Sequence, residues 1–464
     1  MIRFSVWNCA RLVFFSCIAA AATLSAQTYT TLADLSGNDG LPHGSLIQGR
    51  DGNFYGVSFD GAVFRITPGG EIADSLIFGS PSGILQATDG NLYGTTNSGG
   101  DNFVGDVFKL GQSGSYVLYS FTGGSDGYAP EAALVQGKDG GFYGTTSAGA
   151  NGYGTIFKIT PAGILTTRHA FNYSDGAYPV GQLLQGSDGK FYGTTAYGGN
   201  LDCVVSEILN GCGVVFKVDS AGNFQVLHEF NSNDGAAPYA GLVQALDGNF
   251  YGTTSLGGDP ACQCGTVFRI SPAGKLSTLY QFHNDDGAYP LGPLIQATDG
   301  AFYGTTFGTG ILNCTSDNSC GTVFKLTGKD KLTTLHSFCL QQGCPDGVWP
   351  HGGLLQSTNG LIYGTASEGG GPCDCGTVFS LDVNLKPFVT FVNASGKVGT
   401  PVGILGQGFT GASAVSFNGT AANFKVVSDT FLKTAVPPGA SSGPVTVSTP
   451  SGTLTSNIPF RVRK

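Results

Sequence analysis

Six histidines are the side chains best suited to proton transfer or metal ligation near neutral pH, and their positions follow a pattern. His169, His228 and His336 each stand two residues before the closing Phe of a recurring Leu-x-x-Leu-x-x-Phe segment. Tyr119 and Tyr280 hold the same position elsewhere, so it reads as an aromatic packing slot and not as a ligand set. His43 and His351 each follow the proline of an Asp-Gly…Pro segment, in the first and last of a series of repeats. If those repeats are neighbours, the two imidazoles approach each other and a metal or anion site is conceivable there. Two unrelated surface residues are the preferred reading. Glu131, Asp202, Glu207, Asp259 and Glu368 break the repeat pattern and could form a carboxylate pair for a glycosidase or lyase. Nothing fixes their separation. The chain carries no Gly-x-Ser-x-Gly elbow, no His-Glu-x-x-His and no phosphate loop. No catalytic residue, metal ligand set or cofactor is therefore assigned.

Ten cysteines fall in five local pairs: Cys203/Cys212, Cys262/Cys264, Cys314/Cys320, Cys339/Cys344 and Cys373/Cys375. In an oxidising compartment these are expected to be disulfides stapling short loops. Cross-pairing of the two Cys-x-Cys segments between adjacent loops stays open, because so short a ring is strained. Zinc is the alternative reading, but four of the five pairs have no His within ten residues; only Cys339/Cys344 does, with His336 and His351.

The elements that would position these side chains are repeats. A turn-plus-strand signature recurs seven times, with its Tyr at Tyr55, Tyr93, Tyr143, Tyr192, Tyr251, Tyr303 and Tyr363; the fullest copies read DGNFYGTT and DGAFYGTT. A Gly-x-[Val/Ile]-Phe strand follows each, ending at Phe64, Phe108, Phe157, Phe216, Phe268, Phe324 and Phe379. An apolar run closed by Gln precedes each, at Gln48, Gln86, Gln136, Gln185, Gln244, Gln296 and Gln356. With the Leu-x-x-Leu-x-x-Phe segment, each unit makes a small antiparallel sheet. One such sheet cannot bury both faces alone, and radial packing solves that. The fold class is all-β: a seven-bladed β-propeller over residues 27–383, followed by an immunoglobulin-like β-sandwich over 387–464. Residues 29–35 match the fourth-strand pattern and are expected to complete the seventh blade, removing free edges.

Six Asp-Gly…Pro segments lie between blades, five of the form Asp-Gly-x-x-Pro from Asp126, Asp175, Asp234, Asp286 and Asp346 and one a residue shorter from Asp39. Six carboxylates spread around a ring do not converge as a calcium site requires, and Asp is a common turn residue, so they read as structural. The seven Gln side chains read as hydrogen bonds between blades. Those interblade loops share one face with the loops between second and third strands, where the chain's length variation lies, and function concentrates on such loops.

DGNFYGTT and GTVFK in tandem resemble the GloVer tandem-repeat family of exported bacterial proteins, over roughly residues 40–382. The resemblance implies a β-propeller on an exported protein and carries no established activity. Residues 387–464, with Gly406, Gly408 and Phe409 at one turn and Val436, Pro437 and Gly439 at another, look like an IPT/TIG immunoglobulin-like domain.

Composition bounds the partners. Charged residues are 11% of the 464 and the net charge is −9, with only 22 Lys and Arg and no cluster among them. A phosphate-tracking surface is excluded on that count, and nucleic acid with it. Arg3 and Arg11 precede an apolar run from Leu12 to Leu24 that is too short to span a bilayer comfortably, so residues 1–26 read as a signal peptide. The mature chain is expected outside the cytoplasm, secreted, periplasmic or at the cell surface, without a membrane span. The leading reading is a binding protein whose loop-rich face offers Tyr128, Tyr178, Tyr239, Tyr289 and Trp349, with His43 and His351, to carbohydrate or peptide ligands or to an extracellular protein. The alternatives are a polysaccharide hydrolase or lyase using that face, and a structural envelope protein.

Overall fold

A computed structural model describes residues 27–77, 79–111, 114–204, 210–308 and 320–463. The expected signal peptide, Glu207 and Cys314 lie outside the described residues. Seven four-stranded antiparallel sheets come first, then two further four-stranded sheets and a two-stranded parallel ribbon. The all-β propeller followed by a sandwich is thus borne out.

A representative blade, the fifth, runs Val243–Gln244, Phe250–Thr254, Thr266–Ile270 and Leu276–Gln281 from the axis outward. The Phe-Tyr-Gly-Thr-Thr strand is buried at every position, and its residues divide the work. Tyr251 packs its ring 4.1 Å from Phe302 of the next blade. The pattern repeats as Tyr93 on Phe142, Tyr143 on Phe191 and Tyr192 on Phe250, and Tyr363 of the last blade meets Phe54 of the first at 4.2 Å. Each pair adds about 0.5–1.5 kcal/mol beyond area burial. The glycine is required because the Phe of the third strand lies over it: a Cβ on Gly252 would meet Phe268 at 2.7 Å, and one on Gly304 would meet Phe324 at 2.6 Å.

In blades 1–6 the Tyr hydroxyl in turn donates to the Asp of its own hairpin, as Tyr251 does to Asp247 at 2.9 Å. In blades 3 and 6 the basic residue of the third strand completes that corner, with Lys158 2.6 Å from Asp139 and Lys325 2.8 Å from Asp299, whereas Lys217 of blade 4 reaches the Pro272 carbonyl. Blade 7 departs at both positions together, carrying Asn359 and Ser380. Its hairpin is covered by the segment leading to the second domain, where a Cβ on Gly360 would meet the Lys386 carbonyl carbon at 3.0 Å. A covered corner disfavours a charged pair.

The strand Thr28–Asp34 pairs antiparallel with Thr377–Asp382, so the final blade is built from both ends of the propeller. The glutamines link the inner strands into a closed ring. Arg50 N–H donates to Gln86 Oε1, Thr88 to Gln136, Lys138 to Gln185, Ser187 to Gln244, Leu246 to Gln296, Thr298 to Gln356 and Thr358 back to Gln48, at 2.8–3.1 Å. These amides sit where a two-residue inner strand leaves backbone donors without ladder partners.

The sandwich packs around Val402, Ile404, Phe409, Phe417, Leu432, Val445, Val447 and Phe460. It docks on the propeller face formed by the Asp-Gly hairpins, here called the lower face. Thr430 Oγ1 donates to the Arg50 carbonyl at 3.0 Å, Gln407 Nε2 to Thr358 Oγ1 at 2.9 Å, and Arg461 to the Ser187 carbonyl at 3.3 Å. Arg50 also lies over the Phe431 ring at 5.3 Å. Those contacts fall on blades 1, 7 and 4, so the domain straddles the lower mouth of the propeller axis.

Candidate functional site

The upper face is assembled by a bridge repeated around the ring. Six of the seven interblade loops pair with the loop after the next second strand, at Pro42/Ser58, Tyr128/Ala148, Ala177/Tyr197, Ala236/Leu256, Ala288/Gly308 and Val348/Glu368. Both loop families therefore share one rim. The residue before each proline takes left-handed φ, including Tyr178 (56°), Tyr289 (57°) and Trp349 (57°), a strained choice for a bulky side chain. Hydrogen bonds on both sides hold it. Trp349 N–H donates to the Cys320 carbonyl at 3.1 Å, and the Trp349 carbonyl accepts from Ser367 N–H at 3.2 Å. The proline seats against the glycine that opens the preceding blade's third strand, where a Cβ on Gly321 would meet Pro350 Cδ at 2.6 Å. The Asp-Gly-x-x-Pro and Gly-x-Val-Phe segments are two halves of one joint.

The aspartates of this joint are structural. Asp234 Oδ2 lies 3.0 Å from His228 Nε2 while its Oδ1 accepts from Asn231 N–H at 2.9 Å. His169 meets Asp175 at 3.1 Å, His336 meets Asp346 at 2.8 Å, Tyr119 donates to Asp126 at 2.9 Å and Tyr280 donates to Asp286. The fourth-strand slot is thus more than aromatic packing, because its polar tip satisfies the loop carboxylate of the same blade.

Symmetry breaks at the residue after the proline. Around the ring it is His43, Ser82, Glu131, Val180, Tyr239, Leu291 and His351. The residues following these are small, and neighbouring inner strands touch there: a Cβ on Gly292 would meet the Gly352 carbonyl oxygen at 2.7 Å, and one on Gly352 the Gly44 carbonyl oxygen at 2.5 Å.

Two aromatic groups form on this rim. In the first, the Tyr178 ring meets Tyr197 edge-on at 5.6 Å, and the Tyr197 and Tyr239 hydroxyls hydrogen-bond to each other. Burial, that hydrogen bond and the Glu131 charge all raise the Tyr239 phenol above its ordinary value. Glu131 itself accepts from Ser147 Oγ at 2.9 Å. In the second, Phe307 stacks 5.6 Å from Trp349 and meets His351 at 4.8 Å, while Phe59 lies 3.9 Å from His43 and 6.0 Å from His351. Burial, then the nearby His351, lowers the His43 imidazole to about 4, against a weaker hydrogen bond to the Pro81 carbonyl. Burial lowers His351 as well. Both rings are neutral at pH 7, so the pair offers hydrogen bonds and not positive charge.

The expected binding residues separate accordingly. Tyr178 and Tyr239 come together, as do Trp349, His351 and His43, and in place of two unrelated surface histidines the structure gives a pair sharing the Phe59 ring. Tyr128 and Tyr289 are exposed on the rim, at 39% and 38%, and stack on no ring among the described residues. Tyr197, Phe59 and Phe307 were not expected. They stand just after the Phe-Tyr-Gly strand, and aligning the seven repeats would have shown Phe twice where Ser, Ala or Asn otherwise occurs. Among the described residues no three His, Cys, Asp or Glu side chains gather as a metal site. Cys203–Cys212, Cys262–Cys264, Cys339–Cys344 and Cys373–Cys375 are bridged, so the Cys-x-Cys segments pair internally, and Cys320 is also disulfide-bonded.

The Gloeobacter/Verrucomicrobia repeat matches residues 57–207 and 203–424. The chain belongs to that repeat family. An IPT/TIG domain matches residues 387–462 of this repeat protein. No curated protein matches the chain. Among solved structures it is similar to the extracellular domain of a protein described as a hybrid two-component system from B. thetaiotaomicron, at 11% identity and TM-score 0.52, over 94% of this chain and 58% of that one. A second such domain from the same organism matches at 11% identity and TM-score 0.47, over 95% and 60%. The WD40 β-propeller domain of Doa1 matches at 14% identity and TM-score 0.49, over 77% and 98%. The repeat protein thus spans about three fifths of the two extracellular domains. The first likeness supports the fold.

Proposed function

We propose that this repeat protein is an exported binding protein that takes carbohydrate or peptide on its upper face, with residues 1–26 as signal peptide, 27–383 as propeller and 387–464 as accessory sandwich. The observation that carries the reading is the loss of symmetry after the proline. Six of the seven joints keep the Asp-Gly segment and its bridge, yet the residue after the proline varies around the ring through His, Ser, Glu, Val, Tyr and Leu. Aromatic faces flanked by neutral imidazoles, hydroxyls and one carboxylate suit a ligand with apolar faces and many hydrogen-bonding groups. The sandwich occupies the opposite face and leaves this rim free. The cysteine bridges and the extracellular setting of the similar structure from B. thetaiotaomicron support a place outside the cytoplasm. Glu131 is the only acid at the post-proline positions, whereas glycoside hydrolysis uses two carboxylates.

Glycan and peptide arrays test the proposal, read against Tyr239→Ala and Trp349→Ala. Binding by the parent and a loss of tenfold or more in either variant is expected. Ligands captured equally by both variants would overturn the assignment to this rim. Release of reducing sugar from a bound polysaccharide would favour the hydrolase reading.

A further inference from the structure

Three cations meet where the sequence gives no hint of a basic cluster. Lys138, on the lower hairpin of blade 3, faces Arg461 and Arg463, on the last strand of the sandwich, across a cleft of about 930 Å³. This corrects the expectation that Lys and Arg are nowhere clustered: the residues lie on two domains and come together only on docking. Lys138 reaches the Gly186 carbonyl at 3.3 Å and Arg461 the Ser187 carbonyl at 3.3 Å. Among the described residues none of the three forms an ion pair with a carboxylate. Asp188 is the one acid lining the cleft, and its Oδ2 accepts from the Tyr192 hydroxyl at 3.0 Å. Burial first, then the charges of Arg461 and Arg463, push the Lys138 ammonium below its ordinary value, against the smaller pull of Asp188. All three side chains are exposed at the cleft, and like charges gathered in one place disfavour one another unless an anion joins them.

We infer that the cleft between the lower face and the sandwich is a second ligand site, for an acidic sugar whose carboxylate is held by Lys138, Arg461 and Arg463. The rest of the lining fits such a ligand. Thr88, Asn393 and Ser395 offer hydroxyl and amide groups, and Val392 and Pro459 supply apolar surface. The volume falls within the ordinary range for small-ligand sites, about 300–1,000 Å³, and suits a few sugar rings. Guanidinium groups favour carboxylates because both are planar and can share two parallel hydrogen bonds. This site is independent of the rim described above, and it needs both domains.

Calorimetric titration of the full chain with trigalacturonate, neutral galactotriose and inorganic sulfate is the test, with Lys138→Gln and Arg463→Gln as variants and Tyr239→Ala as the upper-face control. Trigalacturonate is expected to bind and galactotriose is not. Affinity should fall about tenfold or more in each lower-face variant and drop with added salt, while Tyr239→Ala binds as the parent does. A melting curve identifies any variant that is unfolded, and the other variant then decides. The proposal is overturned if trigalacturonate fails to bind, if both folded variants bind unchanged, or if sulfate binds as tightly as the sugar. Loss of binding only in Tyr239→Ala would place the acidic sugar on the rim instead and also overturn it.

Discussion

The side chain of Gln48 accepts a hydrogen bond of 3.1 Å from the backbone N–H of Thr358, and its amide donates to the Thr358 hydroxyl at 3.1 Å. This is the link that joins the first inner strand to the last. Thr358 is 1% exposed, so a non-bonding side chain at position 48 leaves a buried donor without a partner. Gln48→Leu is expected to lower stability by about 1–3 kcal/mol in urea denaturation. Gln225→Leu, on an exposed outer-strand position, should change it by less than about 0.5 kcal/mol.

Steric closure over the glycine of the second strand makes a sharper prediction. A Cβ on Gly252 would meet both Leu242 and Phe268 at under 3 Å. Gly252→Ala should therefore cost about 1–3 kcal/mol through overpacking. Adding Phe268→Leu to it should recover part of that loss; a double variant no more stable than the single one counts against this cause.

Blade 7 lacks the partner that other blades give their loop carboxylate. Ala33 opposes Val378 in the register where His228 opposes Val215, and Asp39 Oδ1 is buried without a hydrogen bond. Ala33→His is expected to raise stability by roughly 1 kcal/mol, and His228→Ala to lower it by about 1–3 kcal/mol. Thermal melts of the two variants check the pair of signs.

Asp106 takes the place where blades 3, 5, 6 and 7 have Thr155, Thr266, Thr322 and Thr377. It is 6% exposed, its Oδ1 has no partner, and burial raises its carboxyl to about 6. The folded state keeps a proton that the unfolded chain has already released, so stability falls as pH rises from about 4 to about 6 and then levels off. Asp106→Thr should be more stable than the parent by on the order of 3 kcal/mol at about pH 8, a gap that narrows towards about pH 4. Denaturant titrations at those two values measure it.

His43 has the opposite sign. Its folded value, about 4, lies below the ordinary 6.5, so the stability it contributes is present above about 6.5 and is lost as pH falls towards about 4. His43→Phe should remove roughly 3 kcal/mol of that acid sensitivity. An unchanged acid limb would rule His43 out as its source.

The repeat count, the strand order and the role of the glutamines were all legible, because each rests on residue types recurring at fixed offsets. What escaped were the departures from the repeat. Phe59, Phe307 and Tyr197 carry the rim's aromatic groups but sit one or two residues past a strand whose regularity draws the eye. The bond from His228 to Asp234 spans only 6 residues, yet reading the histidine as packing alone hid it. Lys138 and Arg461 were beyond reach for another reason. Their meeting depends on how one domain sits upon the other, and no local pattern encodes that.

The seventh sheet also dictates when the protein can be finished. Its outermost strand, Thr28–Asp34, is synthesised before any blade exists, while the edge it must join, Thr377–Asp382, emerges last. Contacts so distant in sequence form slowly. The opening segment therefore has to wait, unpaired, until almost the whole ring has been made, and a chaperone that shields it meanwhile would find its target within those seven residues.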